Sequence, residues 1–166
     1  MAVLSSEIKF YLSGGSGNSN PAASLGGAIS TTEVTASTLW DNVSSAEASA
    51  GDVEYRCIYV KNTNGTDSLL TAVAWVSSNT PSTSTTLDIG IGTAATSGTE
   101  QTVANESTAP SGVSFSAPSV QASGLSIGDL TAGQHKAIWL RRTVTAGAGA
   151  YNNDGATINV GGDTGA

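Results

Sequence analysis

The sequence predicts an all-β chain folded as an antiparallel β-sandwich, and three observations predict it. Short β-branched and aromatic runs recur, the cleanest being Thr86-Leu87-Asp88-Ile89-Gly90-Ile91, whose strict alternation points Leu87, Ile89 and Ile91 to one side. The spacers are turn chemistry, as at Gly51-Asp52, Asn62-Thr63-Asn64-Gly65 and Asn152-Asn153-Asp154-Gly155. No stretch carries the apolar period of an amphipathic helix of useful length, and no internal repeat is present.

Composition points the same way. A chain of 166 residues is long enough for one domain with a real core. Only 11% of its residues are charged, and Val, Ile and Thr cluster repeatedly, which is the reverse of the highly charged composition that keeps a chain unfolded. Cys57 is the only cysteine, so an internal disulfide and a Cys-rich metal site are both excluded, and stability must come from packing or assembly.

Taken in order, residues 1–38 read as an extended N-terminal arm and residues 39–166 as the sandwich domain. Within the arm, Glu7-Ile8-Lys9-Phe10-Tyr11-Leu12 alternates briefly, but Ser13-Gly14-Gly15-Ser16-Gly17-Asn18-Ser19-Asn20-Pro21 offers no side chain to bury. Small residues in Ser24-Leu25-Gly26-Gly27-Ala28-Ile29-Ser30 suit a segment laid along a neighbouring chain. The arm is therefore expected to gain order against another protein, with Ile8, Phe10, Tyr11, Leu12, Leu25 and Ile29 as its contact residues.

The domain is expected to begin near Leu39-Trp40-Asp41. Val53 to Asn62 is the best strand, with Tyr55, Cys57 and Tyr59 on one face and Glu54, Arg56, Ile58 and Val60 on the other. Leu69 to Val76 follows across the Asn-Gly turn. Later, Ile127-Gly128-Asp129-Leu130-Thr131-Ala132-Gly133-Gln134 turns the chain into His135 to Val144, the arrangement of a corner in an immunoglobulin-like sandwich; a jelly-roll-like one is the alternative. A last hairpin through Asn152 to Gly155 and Ala156 to Val160 is expected to complete the sheet.

Candidate chemistry is sparse. The one histidine, His135, opens a strand after a Gly turn, with no Gly-x-Ser-x-Gly elbow to make a nucleophile, so it reads as structural. Asp41, Glu47, Asp52 and Glu54 could supply paired carboxylates for sugar chemistry, but Trp40, Trp75 and Trp139 fall on expected core strands and read as packing. Asn152, Asn153, Asp154 and Asp163 lack the spaced Asp-x-Asp pattern and closing Glu of a calcium loop. Gly14-Gly15-Ser16-Gly17 lacks the Lys-Ser/Thr of a phosphate loop. Arg141 and Arg142 point to opposite faces of a strand, where a solvated rim is the simplest reading. No enzyme activity, cofactor or metal is expected.

Thirteen acidic residues against six Lys and Arg give a net charge of −7, and Arg141-Arg142 is the only adjacent basic pair. Without a basic patch neither nucleic acid nor an acidic membrane is an expected partner. Met1 to Phe10 lacks a basic stretch followed by an apolar one of signal-peptide length, and no run approaches a membrane span, so a soluble chain not marked for classical secretion is expected.

Leu39-Trp40-Asp41-Asn42-Val43, Gly51 to Asn62, Asp88-Ile89-Gly90-Ile91 and Ala137 to Arg142 together resemble a strand-and-turn pattern of virion proteins of tailed bacteriophages, nearest in kind to the capsid decoration, or cement, proteins. The resemblance spans roughly Phe10 to Val160 and carries no diagnostic chemical motif. It implies a β-sandwich on the outer capsid surface of the virion, assembled in the host cytoplasm. Its partners would be the major capsid protein and copies of itself, as a homotrimer, and its task would be stabilising the shell. A tail- or fibre-associated module is the alternative within that class. A carbohydrate-binding module for host attachment is the alternative outside it.

Overall fold

The computed structural model describes residues 2–35 and 39–164. Among them the strands are, in chain order, β1 (Ile8–Ser13), β2 (Gly26–Gly27), β3 (Ile29–Glu33), β4 (Asp52–Asn62), β5 (Leu69–Ser78), β6 (Thr85–Ile91), β7 (Glu100–Thr102), β8 (Leu125–Leu130), β9 (His135–Val144) and β10 (Thr157–Thr164). They form an antiparallel β-sandwich. One sheet has five strands in the order β3-β1-β4-β9-β6, the facing one has three in the order β10-β5-β8, and β2 and β7 make a small ribbon.

Strand β4 is the centre of this arrangement. β9 pairs with it along ten residues, from Asp52↔Val144 to Lys61↔His135, and β1 pairs with its other edge from Ile8↔Asn62 to Leu12↔Ile58. Both of its faces are buried. Ile58 and Val60 enter the core between the two sheets, where they meet Ala72, Ala74, Val76, Ile89, Ile127 and Leu130. Tyr55, Cys57 and Tyr59 enter a second apolar cluster with Val103, Ala137 and Trp139 on the opposite face. Among the described residues that outer cluster has no second full sheet over it; Leu25 before β2 and Ile29 at the start of β3 pack against it, as do Val113 and Phe115 from the connection before β8.

This two-sided burial corrects the expected arm; the boundary placed at residue 38 lies outside the described residues. Residues 8–33 belong to the body of the protein, because β1 is an interior strand flanked by β4 and β3. The Gly-rich stretch after it is a turn whose glycines serve backbone geometry: Gly14 and Gly15 lie at φ of 99° and 94°, where L side chains are strained. Its polar side chains tie it down. Ser13 N donates to Ser24 Oγ at 2.8 Å, Ser24 Oγ donates to the Cys57 carbonyl at 3.0 Å, and Gly26 N donates to Ser13 Oγ at 3.0 Å, with both serines fully buried. At Gly26 a Cβ would sit 1.8 Å from the Gln101 carbonyl oxygen, so β2 can approach β7 only as glycine.

Two further expectations change. The last strand does not form a hairpin with β9; β10 crosses to the smaller sheet and pairs with β5. A short helix, α1 (Ser45–Ala50), precedes β4, started by a capping box in which Ser44 Oγ accepts from Glu47 N and the Glu47 carboxylate accepts from Ser44 N. The Ser-x-x-Glu signal for it stands in the sequence.

A chain lacking residues 1–30 is expected to lose cooperative thermal unfolding, because β4 would lose its β1 edge and the outer cluster part of its cover. Near-ultraviolet circular dichroism matching that of the full chain would contradict this. Leu12→Ala, at a residue 2% exposed, should cost about 2–5 kcal/mol in urea unfolding.

Candidate functional site

All six residues expected to contact a partner are used within the chain. Ile8 and Phe10 pack against the core between the sheets, while Tyr11, Leu25 and Ile29 pack against the outer cluster. Leu12 is buried. Ile8 and Phe10 also line an open hollow of about 300 Å³ with Ser5, Trp75, Ile158, Asn159 and Val160, beside strand β10.

The densest gathering of ionisable groups lies elsewhere, at the start of β4. Glu54 and Arg142 are direct cross-strand partners, and their side chains form a buried ion pair. Arg142 also donates to the Asp41 carbonyl at 2.7 Å and to the Asp41 carboxylate at 3.2 Å. Arg56, two residues beyond Glu54 and on the same face, is 1% exposed and donates to Glu106 at 2.5 Å. The Trp40 ring has both guanidinium carbons within reach of its face, at 5.1 Å for Arg56 and 4.9 Å for Arg142. These contacts strap two segments that carry no named strand pairing, Leu39-Trp40-Asp41 and the Glu106 loop, onto the five-stranded sheet.

Burial raises the Glu54 carboxyl above its ordinary range; the charge and hydrogen bond of Arg142 oppose the rise, and the charges of Asp41 and Glu106 add to it. Glu54 and Arg142 are committed to each other, and Arg56 to Glu106. These contacts fasten the fold.

A second polar group sits under the outer cluster. The Tyr59 hydroxyl donates to the Gly27 carbonyl at 2.6 Å and accepts from Glu100 N at 3.0 Å, and burial pushes its pKa up to about 12. Burial works to raise the Glu100 carboxyl as well, but hydrogen bonds from Ala94 N, Thr93 Oγ1 and Gln101 win and hold it below its ordinary value. His135 stacks edge-on against Tyr59 with centroids 5.1 Å apart. Its pKa is lowered, first by burial and then by the charge of Lys61. Burial also raises the Cys57 thiol, which is the opposite of an activated nucleophile.

The remaining candidates are dispersed. Of the four carboxylates weighed for sugar chemistry, Asp41 and Glu54 both meet Arg142, Glu47 caps α1, and Asp52 opens β4. Asp154 accepts from Ser82 N, whereas Asp163 accepts from Thr71 Oγ1, so the two are not ligands of one loop. Among the described residues no three His, Cys, Asp or Glu side chains converge as metal ligands would. Trp139 is fully buried and Trp40 lies against the two arginines. Neither arginine at 141–142 is a solvated rim residue: Arg141 donates twice to Asp88, and Arg142 is 8% exposed.

The strap itself escaped the sequence. Glu54 and Arg56 were visible as same-face neighbours, but the partner Arg142 stands 88 residues from Glu54 and is brought in only by strand register. Comparison with family models, with curated proteins and with solved structures finds no match for the chain.

Arg142→Ala should destabilise the protein by about 3–5 kcal/mol in urea unfolding near neutral pH, because it leaves Glu54 buried without its cation. The sign of the pH dependence follows from the raised carboxyl. A proton binds Glu54 more tightly in the folded chain, so its contribution to stability is full below the ordinary pKa and is lost as pH rises through the raised value. The Arg142→Ala penalty should therefore shrink as the pH falls toward about 4, where the carboxyl is neutral; a penalty equal at both pH values would refute the assignment. For His135, proton NMR should place the imidazole midpoint below 6.5, and Lys61→Met should move it upward. An unmoved midpoint would show that Lys61 exerts no field on the ring.

Proposed function

We propose that this chain is a non-catalytic structural module of a tailed-bacteriophage particle, a capsid decoration protein that binds the outer head surface and braces the shell. The observation that carries the non-catalytic part is the commitment of the interior ionisable groups to one another. Glu54, Arg56 and Arg142 fasten two connecting segments, Arg141 is paired with Asp88, and Glu100 is held by loop donors. A body built this way invests its polar chemistry in holding shape, which is what a bracing protein needs.

The virion reading rests on the resemblance of the strand-and-turn pattern and on physical agreement with it. An acidic surface with a net charge of −7 keeps unassembled copies soluble. Many weak contacts repeated over a symmetric shell become tight together. Because β1 and the Gly-rich turn belong to the body, attachment is by surfaces and sheet edges of a preformed domain and not by an arm that folds on binding.

Immunogold labelling of intact particles with antibodies raised against this chain tests the reading. Gold over the heads is the expected result. Gold confined to tails would replace the decoration role with a tail or fibre role, and unlabelled particles would overturn the virion assignment altogether.

A further inference from the structure

Register gathers basic side chains that the sequence scatters. Lys9 pairs directly with Lys61 across β1 and β4, and Lys61 pairs directly with His135 across β4 and β9, so the three stand in one row on the outer face of the five-stranded sheet. The sequence alone does not bring these two lysines side by side. Like charges directly opposite on neighbouring strands repel and destabilise the pair. Glu33 meets Lys9 at 3.1 Å, but both groups are well exposed, and such a pair compensates little. Arg56, Arg141 and Arg142 meet carboxylates, and Lys136 donates to the Ala94 carbonyl. Among the described residues the one contact recorded for the Lys61 ammonium is the Tyr11 ring, 5.8 Å away.

The opposite charge is gathered with equal economy on the other sheet. Thr71 holds a φ of 48°, uncommon for a β-branched residue, at the point where β5 shifts register against both neighbours. Asp129 accepts from Thr71 N and Asp163 accepts from Thr71 Oγ1, each at 2.8 Å, which brings two carboxylates to one residue. All three residues are exposed, while their neighbours Ala72 and Leu130 turn into the core. No cation is recorded on either carboxylate among the described residues. The two patches lie at the same end of the sandwich, since Asn62, next to Lys61, donates to the Leu130 carbonyl at 2.9 Å. They nevertheless sit on different sheets, whose packed core, on the order of 10 Å thick, separates them within one molecule.

We infer that the Lys9–Lys61 row is a docking surface for carboxylates, and that its occupant is the Asp129–Asp163 pair of a second copy of this chain. The contact joins two different surfaces, so it is heterologous, and successive copies associate head to tail. Each copy supplies a carboxylate to its neighbour's Lys61, which among the described residues meets none. Tyr11 and the His135 ring flank the lysines and limit the approach to that side of the sheet. The inference rests on these charges alone and does not depend on the virion reading.

Sedimentation equilibrium of the full chain tests it. At low ionic strength the weight-average mass should exceed that of one chain and rise with concentration. It should fall to the monomer mass at about 1 M salt, where the Debye length is about 3 Å. Lys61→Glu should be monomeric at low salt while still melting cooperatively, at or above the wild-type midpoint, since it replaces a repulsion across from Lys9 with an attraction. Asp163→Lys should be monomeric too, and mixing the two variants should restore association through the reversed pair. A wild-type chain that is monomeric at low salt at every concentration overturns the inference. So does Lys61→Glu that associates as wild type, or a mixture that stays monomeric. If the wild type is monomeric but binds polyglutamate, and Lys61→Glu does not, the surface serves a different acidic partner and the pairing of copies is wrong.

Discussion

Strand β4 needs cover on both faces, and most of the architecture answers to that need. With Ile58 and Val60 facing one way and Tyr55, Cys57 and Tyr59 the other, neither face can be left to water. The three-stranded sheet shields the first. Shielding the second falls to the small β2–β7 ribbon, to Ile29 at the start of β3 and to connections, with Leu25, Val113 and Phe115 coming from stretches that look polar and loose along the chain. The Gly and Ser content of those excursions serves close backbone approach, as at Gly26 against Gln101, and local hydrogen bonding, as at Ser13 and Ser24.

Covering a sheet with connections raises the question of what holds them, since they lack long ladders of main-chain hydrogen bonds. Ionic groups answer it on the face toward the smaller sheet. Arg142 reaches the Asp41 main chain, Arg56 reaches Glu106, and the Trp40 ring packs against both guanidiniums. A buried pair such as Glu54–Arg142 is poor at adding net stability, since desolvation offsets much of its attraction, but losing one partner is costly. Such a pair acts as a registration device, accepting one alignment of β4 with β9 and penalising every slip. On the opposite face the neutral counterpart is the Tyr59 hydroxyl, which joins β2 and β7 through Gly27 and Glu100.

The same economy bears on function. Inside the domain Glu54, Arg56, Arg142 and Glu100 are engaged in holding the fold. On the outer surface the pairing is less complete. Lys61 stands opposite Lys9, and Asp129 and Asp163 share one threonine on the far sheet.

Much of the fold was legible in local pattern. Alternation in Thr86 to Ile91, the β-branched run around Val60 and the Gly turn before His135 each mark a strand or a corner, because side-chain period and turn chemistry are properties of a few consecutive residues. The Ser44–Glu47 capping box was equally local and marks α1. What the chain alone could not specify was which strand lies beside which. The Gly-rich stretch after Leu12 has the composition of a free arm, and only the pairing of β1 with β4 turns it into a buried turn. Likewise Arg142 meets Glu54, and Lys9 meets Lys61, through cross-strand register over long sequence separations. Local sequence sets the conformation of each segment, whereas the neighbours that decide burial, charge compensation and exposed surface are chosen by the packing of the whole chain.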